Sequence, residues 1–390
     1  MNKTLTARLA ALGHDDLLRR TVTIGSSPGP VVKVSGREVI NLSSNDYLGL
    51  AAHPALKKAA REASESLGTG AGAARLVTGT LEVHQDLEKA IASFIGAPRA
   101  LLFGSGYLAN VGVLASLASE GGIIYSDERN HASIVDACRL ADASVRIYQH
   151  RDVSHLSRIL AETSSEKGPR IVVTESVFSM DGHLGPVQEI CNLAGRGRAW
   201  VYVDEAHAFG LLGPSGRGLA ADLLAQGRVH AIMGTLGKAL GSYGAFVAGS
   251  AELVEYLTST SRTFLYSTAL PPHVIAASKA SLGIVSGAEG DALRERLQHN
   301  TSFVRGGLAA QGWELGEAQG PILPISVDGP RKAVALADSL LSRGVLVRAM
   351  RFPTVPRGSE RLRVVVSAGH DEDHLRAALG AFGEARREGA

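Results

Sequence analysis

Three side chains in two short stretches pose the chemical question. Asp204 and His207 lie in VYVDEAHAFG, directly after an apolar run, and Lys238 lies in MGTLGKALGSYGAF among Gly234, Gly237, Gly241 and Gly244. An Asp-Glu-Ala-His tetrapeptide at a strand end suggests the metal-holding acids of a nucleotide hydrolase. Such a site needs a phosphate loop of the form G-x-x-x-x-G-K-S/T, whose amides cradle the phosphates and whose hydroxyl reaches the metal. Here Ile232 stands at the first glycine, Ala239 replaces the hydroxyl residue, and Gly237-Lys238 follows the acidic strand instead of preceding it. A nucleotide hydrolase is excluded.

A second motif, GSGYLA at Gly104 to Ala109, fits G-x-G-x-x-G/A, and a later strand ends at Asp127. That spacing suits a dinucleotide fold, but a pattern this short equally suits any helix N-terminus that receives one phosphate. A dinucleotide site explains neither Asp204 nor His207. A lysine amine condenses with carbonyl cofactors, and an Asp beside a pyridine nitrogen stabilises the protonated ring as an electron sink. Pyridoxal phosphate therefore fits the parts, with its phosphate at Gly106, its ring nitrogen at Asp204 and its aldehyde on Lys238. His207 is placed to reach the ring hydroxyl, and His131, in SDERNHASIVDA, to stack on the ring face.

These residues need a scaffold that brings several strand ends to one place. From about Arg99 to Ser250, the runs ALLF, IIYSD, SVRIYQ, RIVVTES, AWVYVDE, VHAIMG and GAFVAGS alternate with helical patterns, the signature of a mostly parallel sheet wrapped by helices. Ligands of such α/β sheets bind beyond the carboxyl ends of the strands. The last hundred or so residues carry strands near ILPISV, VLVRAM and RLRVVV, which predict a smaller α+β domain. The division expected is residues 1–44 as an N-terminal helix and strand segment, 45–285 as the cofactor-binding domain and 286–390 as the small domain. The segment GTGAGAARLVTGT, Gly68 to Thr80, is too glycine-rich for a regular element and predicts a binding loop.

The chain has 390 residues, 45% of them hydrophobic and 20% charged, with a net charge of +2. It has length enough for a sizeable core and no polyanion-binding signal, so small molecules or other proteins are the expected partners, without nucleic acid. Ala100 to Ser119 is uncharged, but Gly104, Ser105, Gly106 and Asn110 make it a strand-turn-helix unit and not a membrane span. Cys138 and Cys191 lack disulfide or metal spacing, which predicts a reducing, cytoplasmic setting. The pair of histidines in HDEDH, His370 to His374, has no further ligand in view, and its acids suit the start of a helix, so no metal site is expected.

In order, SSNDYLGL, GTGAGAARLVTGT, LLFGSGY, RNHASIVDACR, ESVFSMDGHLGP, VDEAHAFG, GTLGKALGSYGAF, RTFLYSTALPP, RFPTVP and RLRVVVSAGH resemble the motifs of the α-oxoamine synthases. These are fold-type-I pyridoxal-phosphate enzymes that condense an amino acid with an acyl thioester and release CO2. The resemblance runs from about Arg19 to His370, and its motifs look most similar to the branch that joins L-alanine to a pimeloyl thioester on CoA or a carrier protein. Glycine- and serine-using branches are the alternatives, as are a non-catalytic partner subunit and an NAD-dependent oxidoreductase.

The resemblance implies that Lys238 is the Schiff-base lysine and general base, Asp204 the partner of the ring nitrogen and His207 the ligand of the ring oxygen. It makes His131 the stacking histidine that also meets substrate, gives phosphate contacts to the amides of Gly106 and Tyr107, and gives further cofactor contacts to Ser179 and Thr235. It implies a homodimer in which Ser267 and Thr268 reach the neighbour's phosphate. Arg19, Asn45, Thr354 and Arg363 match substrate-contacting positions, Arg363 as the clamp on the amino-acid carboxylate, where a planar guanidinium offers two parallel hydrogen bonds. Phe352, where the family usually has a proline, and Ala208-Phe209, where a smaller pair is common, are departures that bear on the acyl channel.

Overall fold

The computed structural model describes residues 1–118 and 121–389; Ser119, the last residue of the uncharged stretch, and Ala390 lie outside the described residues. The chain divides into two units, one of residues 50–179 with 184–294, the other of residues 1–49 with 180–183 and 295–390.

The first of these holds a seven-stranded sheet in the order Arg99–Phe103, Ala245–Gly249, Ala231–Thr235, Trp200–Asp204, Arg170–Glu175, Gly122–Asp127, Ala143–Tyr148. Ala245–Gly249 runs antiparallel to both neighbours and the remaining pairings are parallel, so six strands point one way. A strand covered on both faces must be apolar throughout, which is why IVV, VYV and AFVA read as unbroken runs. The strand Ala143–Tyr148, at the rim, alternates instead and keeps Arg146 outside. Leu101, Val113, Ile124, Ile134, Val173, Met233 and Val247 meet in one core between this sheet and its helices.

The stretch Ala100 to Leu117 resolves as the strand Arg99–Phe103, a turn, and the helix Gly106–Leu117, whose N-cap Ser105 accepts a hydrogen bond from the Leu108 amide. No described helix is long and apolar enough to cross a membrane. The glycine-rich segment differs from expectation in one respect: Arg75–Gly79 closes a π-helical turn with Arg75 and Gly79 buried. A Cβ on Gly79 would lie 2.1 Å from the Ala73 carbonyl oxygen, so this turn admits only glycine there.

In the other unit, Ile322–Ser326, Arg361–Val365 and Arg348–Met350 form an antiparallel sheet, and Val31–Val34, Arg37–Asn41 and Val345–Leu346 a small mixed one. VLVRAM, read as one strand, is split between them: Val345 and Leu346 pair with Ile40 and Asn41, whereas Arg348 to Met350 pair with Arg363 to Arg361. Leu42, Leu323, Leu340, Val345, Leu362, Val364 and Phe382 share a core, which ties the N-terminal segment to the C-terminal one. In HDEDH, Asp371 caps the helix Glu372–Arg387 by accepting from the His374 amide at 2.8 Å.

Two glycines give opposed expectations. Gly241 has φ +60° and an added Cβ would sit 2.3 Å from the Ala51 amide nitrogen, whereas Gly283, inside the helix Pro272–Val285, has open space at that position. Gly241→Ala is expected to lose about 2 kcal/mol or more, and Gly283→Ala to gain about 0.5–1 kcal/mol, read from urea unfolding midpoints.

Candidate active site

Parallel strands deliver their final residues to one edge, and there the chain places Glu175, Asp204 and Thr235, each at the end of its strand. Asp204 is 4% exposed, so its carboxylate depends on protein donors. Oδ1 accepts from the Ala206 amide at 2.9 Å and Oδ2 from Asn110 Nδ2 at 2.9 Å. Asn110 is fixed in its turn. Its Oδ1 accepts from the Tyr202 hydroxyl at 2.6 Å, and its Nδ2 also donates to Ser133 Oγ at 2.8 Å. Burial and the Asp204 charge push the Tyr202 phenol well up, which keeps it a donor and so fixes which way the Asn110 amide faces.

The same network reaches His131. Ser133 Oγ lies 2.8 Å from His131 Nδ1, and the Ser133 amide donates to that nitrogen at 3.2 Å. With Nδ1 accepting, the neutral ring carries its proton on Nε2, as a donor. Desolvation lowers the His131 pKa, Asp204 opposes that, and Lys238 adds to the lowering. The His131 main-chain amide donates to Glu175 Oε1 at 2.6 Å. Burial raises the Glu175 pKa well above the usual carboxylate range, the Asp204 charge raises it further, and Lys238 opposes.

Lys238 Nζ lies 2.8 Å from His207 Nε2. The turn from Thr235 to Gly244 carries the lysine, braced by Thr235 Oγ1, which donates to the Gly244 carbonyl at 3.1 Å and accepts from the Gly237 amide at 3.2 Å. Two of the glycines around Lys238 are required by close contacts with protein. A Cβ on Gly234 would meet the Phe246 ring at 2.3 Å, and one on Gly244, at φ +104°, would meet Leu270 at 2.8 Å. The glycines fold the loop that presents the lysine.

Gly106 opens the helix Gly106–Leu117, so the amides of Gly106 and Tyr107 belong to its unpaired N-terminal turn, as an anion site requires. Tyr107 also donates its hydroxyl to Asp136 at 2.7 Å. Ser179 is buried, and its amide donates to Glu175. Ser267 and Thr268 lie in a segment that pairs back on the glycine-rich stretch through an Ala74 to Thr268 bridge. In the other unit, Arg363 is buried. It donates to Asn45 Oδ1 at 2.9 Å and to the Tyr47 hydroxyl at 3.3 Å. One Arg19 nitrogen donates to Thr354 Oγ1 at 3.0 Å and to the carbonyls of Arg351 and Phe352.

Sequence reading missed Asn110, Tyr202, Ser133, Glu175 and Glu205. Tyr202 was the accessible one, since residues two apart on a strand share a face and Asp204 had been singled out. Asn110 carries a weaker sign, a polar residue in the otherwise apolar helix Gly106–Leu117.

The residues present fit pyridoxal phosphate. A buried carboxylate held by two neutral donors suits a protonated ring nitrogen, a half-buried lysine in the turn after the adjoining strand suits an aldehyde, and the first amides of a helix suit a phosphate. Comparison with known proteins agrees. Residues 37–382 match the family model for aminotransferase class I and II. The chain is 44% identical over 388 residues to the 8-amino-7-oxononanoate synthase of Geobacter sulfurreducens, covering 100% of this chain and 99% of that one. Among solved structures, the serine palmitoyltransferase of S. paucimobilis, with bound PLP, matches at 30% identity and a TM-score of 0.93 over 99% of this chain and 97% of its own. The 8-amino-7-oxononanoate synthase of Francisella tularensis matches at 30% identity and a TM-score of 0.75 over 90% and 98%.

Glu205, the second residue of the acidic tetrapeptide, gives a pH signature. Its side chain is buried and accepts from the Leu219 and Ala220 amides at 2.8 and 3.1 Å, yet burial pushes its pKa from 4.5 up to about 7. Between those values the unfolded chain has lost this proton and the folded chain keeps it, so stability falls as pH rises through the window, by about 3 kcal/mol at most. Glu205→Gln is expected to flatten that slope in denaturant titrations at pH 4.5 to 7.

Proposed function

The chain belongs to the class I and II aminotransferase family, and from that membership we propose that it condenses L-alanine with a pimeloyl thioester to 8-amino-7-oxononanoate, CO2 and free thiol, a step of biotin biosynthesis. The observation that carries the reading is the pairing of Lys238 Nζ with His207 beside the locked, buried Asp204, in a chain alike from end to end to relatives named for this reaction. Its cofactor is pyridoxal phosphate. Bound, that group supplies an aldehyde that condenses with amines and a ring that takes up carbanion charge.

The chain's own residues do the remaining work. Lys238 would hold the cofactor aldehyde through Nζ, and its neutral Nζ would be the general base for the alanine Cα proton. Asp204 keeps the ring nitrogen protonated, and His207 holds the ring hydroxyl. His131, with its donor on Nε2, hydrogen-bonds the developing ketone. Gly106 and Tyr107 bind the phosphate through their amides, with Ser179 and Thr235 as further cofactor contacts. Arg363 takes the alanine carboxylate, helped by Asn45, while Arg19 and Thr354 contact the acyl substrate. The working form is a cytoplasmic homodimer in which Ser267 and Thr268 contact the neighbour's phosphate. Leu76, Val77 and Tyr266, at 56, 73 and 72% exposed, supply an apolar surface for that contact.

A second reading, an oxoamine synthase that takes serine or glycine, is favoured by the close shape match to serine palmitoyltransferase. Visible spectra taken with alanine, glycine and serine in turn separate the two. A cofactor band that shifts at low alanine concentration supports the first, and one that answers only to glycine or serine overturns it. Lys238→Ala is expected to abolish turnover, with carbon dioxide release as the assay; a rate near that of the parent would refute the general-base role. Arg363→Lys is expected to raise KM for alanine about tenfold or more with a smaller change in kcat, since an ammonium lacks the bidentate fork.

A further inference from the structure

A buried ion pair lies outside the catalytic cluster, between the two segments assigned above to phosphate. Arg75 meets Glu88 in a two-armed pair, at 2.9 Å to Oε1 and 3.1 Å to Oε2, with side chains 8 and 13% exposed. Each partner is committed to one of those segments. Glu88 Oε1 also accepts from the Leu102 amide at 3.0 Å. Leu102 lies on the rim strand Arg99–Phe103, so its outward amide has no strand to pair with, and it stands two residues before the turn that opens the helix at Gly106. Arg75 opens the π-helical turn, and its Nε donates to Thr80 Oγ1 at 2.9 Å, while Thr80 Oγ1 donates to the Arg75 carbonyl at 2.6 Å. Immediately before Arg75, Ala74 bridges to Thr268 and the Ala73 carbonyl accepts from the Ala269 amide at 3.0 Å.

We infer that the Arg75–Glu88 pair is a positioning element for the two cofactor phosphates of the dimer, setting Gly104 to Tyr107, which meet this chain's phosphate, and Ser267 to Thr268, which meet the neighbour's, to one common frame. The inference rests on the functional reading above, which gives both segments to phosphate. A buried charge pair is a weak source of stability compared with apolar side chains of the same volume, because desolvation offsets its attraction. Its directionality is what apolar packing lacks: two parallel hydrogen bonds fix the Arg75 segment against Glu88, and the third bond fixes Glu88 against the strand. Neither side chain needs to touch the ligand. Loss of the pair lets the two segments shift independently, and a phosphate gripped by backbone amides is sensitive to displacements well under an ångström.

The test uses full-length chain stripped of cofactor and titrated with pyridoxal phosphate and, separately, with pyridoxal, which lacks the phosphate. Three proteins are compared with the parent: Glu88→Gln, Arg75→Lys, and the double variant Arg75→Met with Glu88→Met, which keeps the site packed without charge. The expected result is a rise of about tenfold in the dissociation constant for pyridoxal phosphate, with that for pyridoxal unchanged, in all three. Thermal melting of the stripped proteins identifies any variant that fails to fold, and the double variant keeps the comparison open if a single one does. Parent-like affinity for pyridoxal phosphate in folded variants, or an equal loss for both ligands, overturns the inference. A parent protein that takes up no pyridoxal phosphate overturns the functional reading itself, and the inference with it.

Discussion

The side-chain amide of Asn110 holds the site together. It makes one hydrogen bond with its oxygen and two with its nitrogen, and they reach two other elements: the strand Trp200–Asp204 through both Tyr202 and Asp204, and the helix Ala132–Leu140 through Ser133. A buried amide with every group paired is rigid, whereas one with a missing partner costs on the order of 1–3 kcal/mol. Asp204, the partner proposed for the ring nitrogen, and His131, proposed for its face, are therefore set by one side chain that needs no contact with ligand.

Around that amide the fold gathers carboxyl groups whose like charges would repel if all ionised. Glu175 and Asp204 are register partners on adjacent strands, and Glu205 follows directly. Burial raises both glutamates, Glu175 well above the usual range and Glu205 to about 7, and the Asp204 charge pushes in the same direction in each case. Of the three, Asp204 is the carboxylate that the Asn110 side chain and the Ala206 amide hold in place. A fixed carboxylate beside acids whose ionisation burial disfavours suits a cationic ring nitrogen better than a neutral one. Three ionised carboxylates would instead draw in water or a metal ion.

The sheet was legible because its strands are buried on both faces, and a doubly buried strand writes itself as an unbroken apolar run. Asp204 and Lys238 were legible because charged residues at the ends of such runs have few structural uses. What local pattern does not carry is the partner. Nothing in VINL says that Ile40 pairs with Val345, and nothing in VLVRAM says that Val347 separates two sheets. Nothing in RLRVVV says that Arg363 is buried against Asn45 and Tyr47, which come from more than 300 residues earlier in the chain. The glycine cluster marks the loop that carries Lys238, but not the tight neighbours Phe246, Ala51 and Leu270 that require those glycines.

The two solved structures raise a question of inference, since at the same 30% identity the serine palmitoyltransferase fits the chain better in shape than the 8-amino-7-oxononanoate synthase does. Shape is the weaker guide to substrate. Serine, alanine and glycine differ by a hydroxyl or a methyl group, and one methylene in a pocket is worth only about 1–3 kcal/mol of discrimination. A few side chains therefore suffice to change the amino acid without moving a strand, while the buried network of Asn110, Asp204 and Tyr202 constrains the backbone whatever the substrate. Backbone likeness reports that shared constraint. Identity of 44% along the full chain also samples the side chains that line pockets, and on this scale of energies they separate one branch of the family from another.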